Sequence, residues 1–200
     1  KFTNNSLTQT TTNAGGVIWM SLGFTGLQRI DMTSSHFDLN AAKEGGVLYM
    51  ERSGSQLTSI TSAFMSNNTF DQNQAINGSI FFMATDMGES NVQFVGNTVT
   101  GNIALGCGGI HVNAINSVQQ KHNISIFNNQ FIDNHANFFG SIFYASKQSM
   151  ISADSQLVCS GNNFTNNSAP IGGVMMLTGY VSHVVVDKNI CTDNHADQGA

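Results

Sequence analysis

Apolar residues fall at alternate positions in six stretches of the chain: Ile30 and Met32, Ala63 and Met65, Val92 and Phe94, Ile124 and Ile126, Leu157 and Cys159, Val184 and Val186. That is the period of a strand with one face turned inward. Each stretch runs into a block that reads Asn-x-Phe-x-x-Asn-x-Ala and then Gly-Gly-Val/Ile. Seven copies begin at Asn5, Ser35, Asn68, Asn97, Asn129, Asn162 and Asn189. The second polar site falls at Thr10, Asn40, Asn73, Asn102, Asn134, Asn167 and Asn194. The glycine follows at Gly15, Gly45, Gly78, Gly108, Gly140, Gly172 and Gly199, with spacings of 30, 33, 30, 32, 32 and 27 residues. A second strand is predicted after each glycine, at 17–20, 47–50, 80–83, 110–113, 142–145 and 174–177, and a short third segment carries the Phe and the Ala. A period of this length, sustained through the chain, predicts a solenoid. Its units are rich in Asn, Gly, Ser, Thr and β-branched residues, which disfavours helical repeats. The predicted fold is therefore all-β, a single-stranded parallel β-helix of about seven rungs over residues 1–200.

The residue types have reasons in that geometry. Asparagine tolerates left-handed turns, and its amide can bond to the equivalent amide one rung away, so two ladders are predicted, one of them through Asn68, Asn97, Asn129, Asn162 and Asn189. Phe37, Phe70, Phe131 and Phe164, with Leu7, Val99 and Cys191, form the expected inner row. Proline occurs once, at Pro170, between strands, as suits strands that must all donate backbone N–H groups.

The strand after each glycine is apolar on both faces, except for Ile110-His111-Val112-Asn113, which alternates. Aligned on that strand, Ile18, Met20, Leu48, Met50, Phe81, Met83, Phe143, Met175 and Leu177 form an outward stripe. It is the expected interface with a protein partner or with the remaining part of the same chain.

Charged residues are 10% of the chain and the net charge is −5, which leaves no basic face for nucleic acid. No apolar run approaches the ~20 residues of a membrane span. Both ends fall within a repeat without a polar cap, so the chain reads as an internal fragment of a larger protein. Sequons at Asn4, Asn67, Asn77, Asn123, Asn163 and Asn166 are candidate glycosylation sites and lean the reading towards the extracellular side. Cys107, Cys159 and Cys191 read as thiols in core or near-core positions, with a disulfide between neighbouring rungs as the alternative. Asp38 and Asp71, which follow the repeat Phe, and Asp133 and Asp193, which precede the repeat Asn, read as turn acids. No Arg, Lys or His column accompanies them as acid/base work would require. His135 and His195 stand two rungs apart, too far to share a metal ion. No catalytic, metal or cofactor site is predicted.

The pairing of Phe-x-x-Asn with Gly-Gly-Val/Ile, as in Phe37-Asp38-Leu39-Asn40 with Gly45-Gly46-Val47, resembles the repeats of the chlamydial polymorphic membrane proteins and similar repeats in large surface proteins of protists. The resemblance spans the chain, with departures at Leu7, Val99 and Cys191 for Phe, Thr10 for Asn, and Ser79 and Ser141 for the second Gly. It implies a right-handed β-helix at the cell surface or secreted, used in adhesion or in building an extracellular layer. The functional expectation is a non-catalytic structural or adhesive segment that mediates protein assembly. A polysaccharide-active or carbohydrate-binding β-helix is the alternative, with Trp19, Tyr49 and Tyr144 as aromatic candidates whose column reads as inward.

Overall fold

The computed structural model of the chain describes residues 1–3, 15–22, 27–52, 60–84, 89–113, 121–146, 155–178 and 183–199. All regular structure among them is strand, and every strand pair is parallel. The strands stack into four sheets of seven, six, six and three strands, so the depth of the solenoid differs from face to face.

The seven-stranded sheet, here the Phe sheet, runs from Phe2–Thr3 through His36–Asp38, Thr69–Asp71, Thr98–Thr100, Gln130–Ile132 and Asn163–Thr165 to Ile190–Thr192. Its central residues are Phe2, Phe37, Phe70, Val99, Phe131, Phe164 and Cys191, in register. The first member is Phe2, where the repeat spacing pointed to Leu7, which lies outside the described residues. Phe2 precedes Gly15 by 13 positions, whereas Phe37 precedes Gly45 by 8. Extra residues between the two landmarks hid the true register of the first copy.

Ring stacking follows this row at centroid separations of 5.1 Å for Phe2–Phe37, 5.2 Å for Phe37–Phe70 and 5.1 Å for Phe131–Phe164. Val99 leaves a gap in the row that Phe94 fills from the neighbouring sheet, 5.4 Å from Phe70 and 6.0 Å from Phe131. The rings thus remain continuous through the rung that lacks its own phenylalanine. Each such pair adds about 0.5–1.5 kcal/mol to the burial of its area.

The long sheet comprises Leu27–Thr33, Ile60–Ser66, Glu89–Val95, His122–Phe127, Gln156–Ser160 and His183–Asp187. It alternates as its pattern predicts: Ala63, Met65, Val92, Phe94, Ile124, Ile126, Leu157 and Cys159 are buried. Val184 and Val186 continue these columns on the outermost strand, where no further described strand covers them, and are exposed.

The short sheet, Gln74–Asn77, Ile103–Cys107 and His135–Ala136, buries Ala104 and Ala136, which with Ala169 form a small cluster of their own.

Both asparagine ladders are present. One runs Asn68, Asn97, Asn129, Asn162, Asn189, and the other Asn40, Asn73, Asn102, Asn134, Asn167, Asn194, each Nδ2 donating to the next Oδ1 at 2.9–3.1 Å. The ladder asparagines do not themselves adopt the left-handed conformation. The residue before each one does, as at Asn67, Gly96, Asn128 and Gly161 for the first ladder and Gln72, Gly101, Asp133 and Asn166 for the second. The corner therefore turns on an outward residue, and the next residue is swung inward to bond along the axis.

The glycine sheet, Ile18–Leu22, Leu48–Arg52, Phe81–Met83, Ile110–Val112, Phe143–Ala145 and Met175–Leu177, overturns the expected faces. Leu48, Met50, Phe81, Met83 and Phe143 are buried in the main core, and Ile18, Met20, Met175 and Leu177 pack against it. Val47, Ile80 and Ile142 are buried as well. They sit at the bend before the strand, so both they and the next residue point inward, and alternation begins one residue later. The Gly108 rung is one residue shorter: Ile110 pairs with Phe81 and Phe143, while Gly109 occupies the bend. Ile80 Cδ1 lies 3.4 Å from where a Gly109 Cβ would stand and fills the vacated space. Aligning on Gly108 shifts the register by one, and a one-residue shift exchanges the faces.

Candidate functional site

With the faces reassigned, the outward column of the glycine sheet is Trp19, Tyr49, Phe82, His111, Tyr144 and Met176, in register. Trp19 is 62% exposed, whereas Tyr49, Phe82 and His111 are buried despite facing away from the core. Tyr49 stacks on Phe82 at 5.5 Å, and His111 lies between Phe82 and Tyr144 at 4.8 Å from each. Neither ring nitrogen of His111 has a hydrogen-bond partner among the described residues, and burial pushes its pKa down to about 3. The Tyr49 hydroxyl donates to Glu51 at 3.2 Å, and burial holds its pKa above the usual phenol range.

A second buried histidine opens a strand of the long sheet. His122 Nδ1 lies 2.7 Å from the Ser90 hydroxyl, its backbone N–H donates to the Ser155 hydroxyl at 3.1 Å, and burial lowers its pKa to about 4. Ser90 is itself buried, so this Ser–His contact lies among interior side chains.

The acids behave as corner and surface residues. Asp38 and Asp71 are paired in register on the outer face of the Phe sheet, with Lys1 Nζ 3.3 Å from Asp38. Asp133 and Asp193 occupy left-handed corners, and Asp133 accepts from Asn166 Nδ2 at 2.7 Å. His135 bonds Ser168 at 2.8 Å and Asn137 at 3.0 Å, and Ser168 separates it from His195. Among the described residues no three His, Cys, Asp or Glu side chains converge, and no helix is long and apolar enough to cross a membrane. All three cysteines are free: Cys159 is buried, Cys107 half-buried and Cys191 exposed, and burial raises the Cys107 and Cys159 thiols to about 11.

The sequons differ in setting. Asn67 and Asn166 are exposed at left-handed corners, Asn77, Asn123 and Asn163 are half-buried on strands, and Asn4 lies outside the described residues.

The chain matches no family model, no curated protein and no solved structure.

The arrangement leaves two kinds of open surface. Apolar side chains stand out on the short sheet at Ile76, Ile103 and Leu105, with Phe138 beside them. The outer face of the long sheet mixes polar side chains with Phe64, Val95, Phe127 and Val158 and carries a groove of about 520 Å³ lined by Arg29, Asp31, Phe64 and Gln93 among others. The sequence pattern gave no signal for this second surface, because outward residues of a strand carry no repeat signature.

Proposed function

We propose that the chain is a non-catalytic structural or adhesive segment of a large cell-surface or secreted β-helix protein, as the resemblance to polymorphic membrane protein repeats implies. The observation that carries this reading is the continuity of the two asparagine ladders, in which interior amides spend their donors and acceptors on the rungs either side. Side-chain chemistry is thereby committed to stacking, and the product is a stiff rod that holds its outer faces at fixed spacing. Exposed sequon asparagines at Asn67 and Asn166 suit an extracellular setting. Assembly or adhesion contacts then fall to outward side chains such as Trp19 and Phe138, which are 62% and 58% exposed.

Two measurements test the proposal. Single-molecule pulling of the chain should give cooperative unfolding at high force, and incubation with neutral and acidic polysaccharides should release no reducing ends or unsaturated products. A low-force, gradual extension sinks the rod reading, and turnover of any polymer sinks the non-catalytic one.

The second reading is a carbohydrate-binding segment without catalysis. Of its aromatic candidates, Tyr49 is only 8% exposed and Trp19 is open. What favours this reading is the column of outward amides on the long sheet, Asn91, Asn123 and Gln156.

A further inference from the structure

Polar side chains on the two sides of the long sheet's corner have opposite fates. The ladder amides are saturated, with Asn97 bonded to Asn129, to the Met65 carbonyl and to both donors of Asn68. On the outer face of the long sheet, Asn91, Asn123 and Gln156 also stand in register on consecutive rungs, with Gln93 beside them. Their side-chain amides make no hydrogen bond among the described residues. Three amides in one column at the ~4.8 Å spacing of paired strands therefore present unused donors and acceptors together.

The same face begins with a fixed guanidinium. Arg29 Nε donates to Asp31 Oδ1 at 2.8 Å and Oδ2 at 3.0 Å, and its Cζ lies 4.2 Å from the centroid of the Phe64 ring. These contacts orient the guanidinium, and Arg29 lines the groove. Because Asp31 balances Arg29, the groove carries no net charge from this pair, and the chain as a whole carries −5. Glu89 and Lys121, at the entry of the same face on neighbouring rungs, are opposite in sign as well, so a polyanion meets no net counter-charge here.

We infer that this face is a docking track for a linear, neutral polysaccharide laid along the solenoid axis, its hydroxyls bonding to the amide column and its first residue seated in the Arg29–Phe64 groove. Sugar hydroxyls both donate and accept, as do amides, whereas an apolar peptide surface would leave the column unpaired. Single contacts of this kind are weak. Repeating them at each rung raises affinity with ligand length. The inference rests on the carbohydrate-binding reading and adds its place and its ligand class.

The test uses the whole chain, produced in a host that adds no glycans, since Asn123 lies in a sequon. Affinity electrophoresis in soluble β-glucan, mannan, xylan and polygalacturonate is compared for the native chain and for N91A/Q93A/N123A. Because all three side chains face outward, the variant should keep its circular dichroism spectrum; if it does not, Gln93→Ala and Asn123→Ala are read singly. The expected result is retardation by at least one neutral polymer, weakened at least tenfold in the variant, with no retardation by polygalacturonate. Absence of retardation by every neutral polymer, retardation unchanged in the variants, or retardation by polygalacturonate alone overturns the inference. None of those outcomes touches the rod reading, which pulling and product analysis decide separately.

Discussion

Asn97 donates twice to one atom: its backbone N–H reaches Asn129 Oδ1 at 2.8 Å and its Nδ2 reaches the same oxygen at 3.0 Å. Its own Oδ1 accepts the equivalent pair from Asn68 at 2.9 and 3.1 Å. A single amide thereby joins three rungs.

Asn97→Ala removes the acceptor for both Asn68 donors and deprives the Met65 carbonyl of its partner. At about 1–3 kcal/mol for each buried group left unsatisfied, the loss should reach roughly 3–5 kcal/mol. Asn97→Asp should cost more, because a carboxylate cannot donate to Asn129 and adds a buried charge. Urea unfolding of both variants beside Asn67→Gly, at an exposed left-handed corner, measures the difference. The last change should cost under about 1 kcal/mol.

The face assignment of the glycine sheet has its own test. Phe81→Asp or Phe143→Asp should abolish folding, since both rings are fully buried and an unpaired carboxylate would replace them. Phe131→Ala should cost about 3–5 kcal/mol, against about 0.5 kcal/mol for the exposed Phe138→Ala. Circular dichroism and chemical denaturation give the comparison; a folded Phe81→Asp chain would restore the outward stripe.

Acid should destabilise the fold through two histidines. His111 and His122 have folded values near 3 and 4, below the ordinary value of 6.5, both by burial. Between those limits the unfolded chain binds more protons than the folded one. Their contribution is therefore fully present above about pH 6.5 and is lost as pH falls towards 4 and 3, by roughly 1.4 kcal/mol per pH unit for each group at most. Unfolding free energies measured from pH 7 to 4 should fall, and His111→Phe should flatten that slope by about one proton's worth. An unchanged slope would mean that His111 reaches solvent.

The thiols should react in order of exposure. Cys191 should be modified by an aromatic disulfide reagent in the folded chain, while Cys159, buried and raised to about 11, should wait for unfolding. Equal rates would show that the Cys159 rung opens readily.

Side chains that repeat on the inside were the legible part of this fold. The ladders, the alternating pairs of the long sheet and the row from Phe37 to Cys191 each recur because stacking demands the same shape one rung on. Legibility failed where spacing changed. The short rung at Gly108 reversed the faces of a whole sheet, and the longer interval from Phe2 to Gly15 concealed the first ring of the stack. Outer residues such as Asn91 and Gln93 face no repeated neighbour that constrains them, so no periodicity marks them. Trp19 and Tyr144 were placed inside for the same one-residue reason that put Phe81 outside.

The asparagine columns also give the rod an electrical direction. Every ladder amide gives one Nδ2–H to the rung on its C-terminal side and turns its Oδ1 to donors on its N-terminal side, so the carbonyl dipoles share one direction, whereas paired strand backbones leave little net moment. An added rung must offer acceptors on one side and donors on the other. Such a body can be lengthened by copies of itself only in a single sense, like couplings that fit hook to eye; two C-terminal ends would face each other donor to donor, and two N-terminal ends acceptor to acceptor.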